Sequence, residues 1–160
     1  WRGRASRVAA EIAEKNKMII DEITGIIINE AVEIHKNLGP GLLESVYEAV
    51  LAKMLESKGL KVKRQNTITF EYAGIRFEEG FRYDMLVNDS VVIKLKSVEK
   101  IAPVHQKELL TYLKLMELEV GLLINFGAAT LKEGLQRIVN NHHPSASSRL
   151  RVNQKTRNCV

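Results

Sequence analysis

The chain has 160 residues, of which 45% are apolar, 27% are charged and one is a cysteine. This composition allows one compact domain with its own hydrophobic core and excludes a disulfide scaffold. Because no run reaches the roughly 18 apolar residues of a membrane span, we predict a non-membrane protein and, with the single cysteine, a reducing, cytoplasmic location.

The net charge of +5 is concentrated at the two ends of the chain. Residues 1–17 carry a net charge of +3 and residues 142–160 carry +4, which leaves residues 18–141 at −2. We therefore predict a basic N-terminal arm over 1–17, a folded domain over 18–141, and a basic, disordered tail over 142–160. Such arms could supply sequence-independent contacts to nucleic-acid phosphates, although solvated tails are the slightly favoured interpretation of the same charge pattern.

Two amphipathic helices are predicted at the start of the domain. Between residues 18 and 38 apolar side chains recur at spacings of three and four, which places them on one stripe of a helix. Gly39-Pro40-Gly41 ends this helix, and a second helix is expected from about Leu42 to Lys58, with Gly59 as its cap.

The apolar period then changes to two, which is typical of strands. Alternating segments run over residues 68–72, 81–87 and 91–98, with Asp84 on the face opposite Tyr83 and Met85. In the third segment Lys94 and Lys96 share one face. Because only residues 88 to 90 separate the last two segments, we predict that they pair as antiparallel neighbours.

The remaining elements alternate between helix and strand. Pro103 suits the first turn of a helix, the apolar segment 121–126 is typical of a strand covered on both faces, and a last helix is expected from Leu131 to Asn140. The predicted order is α-α-β-β-β-β-α-β-α. This order implies an α/β fold with a mixed β-sheet flanked by helices.

Several polar residues fall where this topology could bring them together. Glu44 lies on the second helix, Asp84 and the two lysines lie on neighbouring strands, and His105, Glu108 and Tyr112 share one face of the third helix. A carboxylate beside a lysine suits phosphodiester hydrolysis, because acidic oxygens can hold a divalent cation while an ammonium stabilises charge on the attacking water or the phosphate.

Each of these residues also has a simpler interpretation. An Asp or a Lys on a half-exposed strand is more often only solvated, and Glu44 could stabilise the first turn of its helix through the helix dipole. His105 is interpreted as a residue of a helix N-terminus without a ligand role. On these patterns alone, the sequence indicates only a soluble α/β domain.

A family resemblance adds specificity. Gly41-Leu-Leu-Glu44-Ser-Val-Tyr47 reproduces a G-x-x-E-x-x-Y signature, and further matches at 80–84, 95–99, 109–114 and 121–126 follow in order between about 18 and 140. The chain thus resembles the bacterial GxxExxY protein family, which is placed in the PD-(D/E)XK nuclease superfamily.

The resemblance implies roles for individual residues. Glu44 would be the helix acid, Asp84 the metal-holding aspartate, Lys96 the catalytic lysine and Tyr112 the helix tyrosine. The implied cofactor is Mg²⁺ or Mn²⁺, and the implied partner is DNA or RNA.

Two positions depart from the family pattern. Lys94 stands where a glutamate two residues before Lys96 is expected, and Glu108 stands where a glutamine four residues before Tyr112 is expected. A cation at such a site would be repelled by the Lys94 ammonium. Either Glu108 is a relocated metal ligand beside Asp84 and Glu44, or Lys94 and Glu108 neutralise each other as an ion pair in a site that no longer binds metal.

The sequence therefore supports two functional hypotheses. The first is a protein related to metal-dependent phosphodiester hydrolases that act on DNA or RNA, with an active site that is either functional or degenerate. The second is a catalytically inactive module that binds nucleic acid or assembles with other proteins on the same fold. A small-molecule binder that uses the same cleft is a less favoured third hypothesis.

Overall fold

The computed structural model describes residues 2–78, 80–141 and 150–153. Four helices and eight strands are present in these ranges. In chain order they are α1 (Arg2–Leu38), α2 (Glu44–Ser57), β1 (Val62–Arg64), β2 (Thr69–Tyr72), β3 (Ile75–Phe77), β4 (Met85–Val87), β5 (Val91–Lys96), α3 (Pro103–Met116), β6 (Val120–Asn125), α4 (Leu131–Gly134), β7 (Leu135–Val139) and β8 (Leu150–Asn153).

The main sheet has five strands in the order β1-β4-β5-β6-β7. β5 and β6 are parallel because α3 connects them as a crossover, and the other neighbouring pairs are antiparallel. The predicted antiparallel pairing of the Asp84 and lysine segments is present, with Met85 opposite Ile93. The mixed sheet flanked by helices confirms the predicted fold class.

Helices cover both faces of this sheet and form two hydrophobic clusters. One cluster packs α1 and α2 against residues such as Ile93 and Leu122, and the other packs α3 against Val92 and Leu123. Every residue of β6 is buried, as the apolar run predicts. Gly121 lets α3 approach closely, because a Cβ at this position would lie 2.9 Å from a methyl carbon of Leu109.

A smaller sheet, with the order β3-β2-β8, lies beside the main sheet. β8 pairs antiparallel with β2, with Val152 opposite Phe70. Part of the tail predicted to be disordered is therefore a strand, whose backbone groups pair with an otherwise open edge of β2. The rest of that tail, 142–149 and 154–160, lies outside the described residues.

The N-terminal arm differs from the prediction because α1 begins at Arg2 rather than near Met18. Four alanines between residues 5 and 13 favour a helix, and Glu11 and Lys15 have the spacing of a stabilising pair. Residues 3–15 are exposed, so this part of α1 contributes little to the core. No helix within the described ranges combines the length and the apolar character that a bilayer span requires.

Two other expectations about elements were wrong, and one strand was not predicted. The helix predicted over 131–140 is one turn followed by β7, because Leu135 and Ile138 pack into opposite hydrophobic clusters and so follow a strand period. β1 was not predicted, since its three residues are too few to show a period. Asp84 lies at a bend just before β4, and Tyr83 and Met85 therefore pack on different faces of the sheet.

Candidate functional site

The loop between α1 and α2 is held in place by Tyr47. The Tyr47 hydroxyl donates a hydrogen bond to the Gly39 carbonyl and accepts one from the Leu42 backbone N–H at 3.2 Å. The ring of Tyr47 is fully buried and stacks on Phe126 with centroids 4.3 Å apart. Gly41 has a φ of 111°, which a side chain would strain. The glycine and the tyrosine of the signature thus shape the turn that places Glu44.

Glu44 is the first residue of α2 and reaches the end of β5. Its carboxylate accepts a hydrogen bond from the Ser97 backbone N–H at 3.3 Å, and the Ser97 hydroxyl donates to the Leu42 carbonyl at 2.7 Å. The exposed Glu44 side chain is therefore anchored by its carboxylate beside the lysine strand.

Asp84 is held against the same strand. One carboxylate oxygen accepts a hydrogen bond from the Leu95 backbone N–H at 2.7 Å, and the other lies 3.5 Å from the Gln65 amide nitrogen. Burial raises the pKa of Asp84, the Leu95 hydrogen bond and Lys94 oppose this rise, and the negative charges of Glu48 and Glu44 add to it. Glu44 and Glu48 are thus close enough to act electrostatically on Asp84.

These carboxylates open into one cleft of about 560 Å³ between α2 and the end of β5. The cleft is lined by Leu42, Leu43, Glu44, Ser45, Glu48, Gln65, Arg82, Asp84, Leu95 and Ser97. The structure thus brings Glu44 and Asp84 together, whereas Lys96 and Tyr112, which were expected in the same cleft, do not line it.

Glu48 and Gln65 are site residues that the sequence interpretation missed. The buried carboxylate of Glu48 accepts hydrogen bonds from Arg64 Nε at 3.0 Å and from Gln65 Nε2 at 2.7 Å. The Gln65 amide therefore bridges Glu48 and Asp84, and Gln65 has a left-handed backbone with φ of 53°. The position of Glu48 one turn after Glu44 was the only signal that could have found it.

Lys94 is the centre of a second polar group next to the cleft. Its ammonium lies 3.1 Å from a Glu108 carboxylate oxygen and 5.3 Å from the centre of the Tyr112 ring. Burial lowers the pKa of Lys94, but the hydrogen bond to Glu108 and the charges of Tyr112, Glu108 and Asp84 outweigh this and raise it. The predicted ion pair between Lys94 and Glu108 is present.

The other predicted site residues occupy less central positions. Tyr112 is buried, contacts Lys94 and does not line the cleft. Lys96 is half-buried at the end of β5, and within the described ranges its side chain makes no hydrogen bond or ion pair with Glu44 or Asp84. His105 accepts a hydrogen bond from the Ala102 backbone N–H at 3.2 Å, which fits its interpretation as a residue of a helix N-terminus.

The described donor groups form a poor site for a divalent cation. Among the described residues, no three His, Cys, Asp or Glu side chains are arranged to hold one ion. The ammonium of Lys94 acts on Asp84, and Glu108 is engaged by that ammonium. Mg²⁺ and Mn²⁺ prefer several oxygen ligands, so the positive charge beside Asp84 opposes their binding.

Comparisons with known proteins agree with the architecture. A family model described as the PD-(D/E)XK nuclease superfamily matches residues 21–138. Neither the curated proteins nor the solved structures gave a match.

Proposed function

The chain belongs to the PD-(D/E)XK nuclease superfamily, and on that premise we propose that it binds DNA or RNA at the Glu44–Asp84 cleft while its metal-dependent hydrolysis is suppressed. The ion pair between Lys94 and Glu108 carries this proposal. In this pair, Lys94 puts a positive charge at the position where the family resemblance predicts a metal-binding carboxylate.

The position of Lys94 supports suppression over relocation of the acid. The positive charge of Lys94 lowers the pKa of Asp84, and the negative charges of Glu48 and Glu44 raise it. Glu108 acts on Lys94 and Tyr112. The engagement of Glu108 by the lysine supports a neutralising role for this carboxylate.

The chemistry of the remaining residues supports a relationship to nucleases. If a divalent cation were admitted, Asp84 and Glu44 would be its protein ligands in the cleft, and the family resemblance would give Lys96 the role of stabilising negative charge on the phosphate. Superfamily nucleases typically use Mg²⁺ or Mn²⁺, which would polarise the phosphodiester. Arg82 lines the cleft and supplies a cation for a phosphate.

Four proteins test the proposal: wild type, Lys94→Glu, Glu108→Gln and the double variant. Each is offered Mn²⁺ with single- and double-stranded DNA and RNA, and Lys107→Glu serves as a charge-reversal control on an exposed position of α3. We expect little cleavage by wild type and a gain in the double variant. Lys94→Glu alone should gain less, because it crowds negative charge around Asp84 and Glu108.

Three other outcomes would contradict the proposal. Wild-type cleavage that Glu108→Gln abolishes would make Glu108 a relocated ligand. Cleavage that survives Glu108→Gln would contradict both accounts and direct attention to Glu99, at the end of the lysine strand. An absence of nucleic-acid binding in EDTA would favour the rival function, a protein-assembly module on the same fold.

A further inference from the structure

A continuous row of aromatic rings leads from the small sheet to Lys94. Phe77 stacks on Phe70 with ring centres 5.1 Å apart, Phe70 lies 6.3 Å from Phe81, and Phe81 lies 5.3 Å from Tyr112. The Lys94 ammonium then lies over the Tyr112 ring. We call Phe77, Phe70, Phe81 and Tyr112 the aromatic row.

Two members of the aromatic row are much more exposed to solvent than core residues are. Phe77 and Phe81 are each 39% exposed, and Tyr72, next to the row on β2, is 56% exposed. Together with Ile75 they form a large exposed patch on one face of the small sheet, and such patches mark interaction sites.

The backbone under the row is held in place. The Phe81 carbonyl accepts a hydrogen bond from the Ile68 backbone N–H at 2.7 Å. Next to it, Thr67 and Arg82 form an antiparallel β-bridge through their backbones. Gly80 permits this approach, because a Cβ there would lie 1.7 Å from the Ile68 carbonyl oxygen. The rings are therefore presented by a preorganised strand pair, which lowers the entropic cost of binding.

We infer that the aromatic row is a stacking platform for unpaired bases, and that the substrate class of the cleft is single-stranded nucleic acid. This inference rests on the proposed function. Bases in a duplex stack on one another, whereas unpaired bases are free to stack on aromatic side chains in any sequence. Arg82 directly follows Phe81 in the chain and lines the cleft, where its guanidinium complements a phosphate.

The patch favours this occupant over a protein partner for two reasons. Three of its four exposed members are aromatic, and Phe81 is followed directly in the chain by Arg82, which lines the cleft. A nucleic-acid phosphate, unlike an apolar partner helix, complements the guanidinium of Arg82.

Fluorescence anisotropy in EDTA tests the inference, with labelled oligodeoxythymidylate, oligouridylate and a DNA duplex of equal length as probes. Phe77→Leu and Phe81→Leu keep an apolar side chain but remove the ring, Phe77→Trp keeps a ring, and Val104→Ala is a control at an exposed apolar position on α3. We expect each Leu variant to weaken single-strand binding about fivefold or more, while Phe77→Trp and Val104→Ala bind as wild type does. Equal binding to the DNA and RNA strands would show that the row reads bases and not the sugar.

Several results would overturn the inference. These are no single-strand binding by wild type, tighter binding of the duplex, or unchanged binding in Leu variants that keep the wild-type circular dichroism spectrum. Light scattering that shows a wild-type dimer lost in Phe77→Leu would identify the patch as a self-association surface instead. Duplex binding without single-strand binding, or unchanged binding by the Leu variants, would overturn this inference and leave the proposed function standing, whereas no binding of any probe would contradict both.

Discussion

A double-mutant cycle on Lys94 and Glu108 measures how strongly this ion pair holds the site together. The variants are Lys94→Met, Glu108→Gln and the double change. At 3.1 Å, two full charges attract by about 5 kcal/mol at an effective dielectric constant of about 20. The Glu108 side chain is 41% exposed and screened by water, so we expect a coupling energy of about 1–2 kcal/mol.

The two single variants should differ in cost. The Lys94 side chain is only 12% exposed, so Glu108→Gln leaves a buried ammonium with less compensation and should destabilise the fold by about 2–3 kcal/mol. Lys94→Met leaves Glu108 free to be solvated and should cost about 1 kcal/mol or less. With a coupling energy of about 1–2 kcal/mol, the double variant should be about 1 kcal/mol less stable than Lys94→Met.

Urea denaturation of the four proteins at pH 7 measures these differences. The raised pKa of Lys94 keeps its contribution to stability complete at this pH, and that contribution is lost only as the pH rises through the folded-state pKa, above the ordinary value of a lysine. If Glu108→Gln were as stable as wild type within about 0.3 kcal/mol and the two effects were additive, the pair would not hold the site, and the reasoning would be refuted.

Three further measurements test other parts of the structure. Tyr47→Phe keeps the stack on Phe126 but removes the hydroxyl that bonds to the 39–43 loop, so urea denaturation should show a loss of about 1–3 kcal/mol, with the exposed Tyr72→Phe as a near-neutral control. Burial raises the pKa of Asp84, so the Asp84 carboxyl binds a proton more readily in the folded protein than in the unfolded chain, and its ionised form destabilises the fold. Asp84→Asn should therefore raise the Tm at pH 7. This gain in Tm should shrink as the pH falls through the folded-state pKa of Asp84. A Tm gain that does not depend on pH would contradict that cause. Deleting residues 1–15 should change the Tm by less than about 2 °C, because residues 3–15 are exposed, and a larger loss in calorimetry would show that this part of α1 is docked.

Local patterns were sufficient for the elements with a long or unambiguous period. The apolar stripe of α1, the alternation in β5 and the apolar run of β6 each repeat often enough for one secondary structure to satisfy the whole segment. The period of β7 was ambiguous, because Leu135 and Ile138 have a helical spacing although the segment is a strand that pairs with the edge of β6. Its conformation depends on the open backbone groups of β6, which no local pattern reveals.

The candidate site shows the same division. The convergence of Glu44 and Asp84 and the pairing of Lys94 with Glu108 were predictable, because family motifs and compensating charge changes are visible in the one-dimensional order of residues. The bridge from Glu48 through Gln65 to Asp84 was not predictable, because it joins side chains 17 and 19 residues apart. The aromatic row likewise exists only once β2, β3, the Phe81 segment and α3 have packed together. Residue types thus set which charges and rings were available, and the packing of separate elements decided which of them meet, since hydrogen bonds and ring contacts act only over a few ångströms.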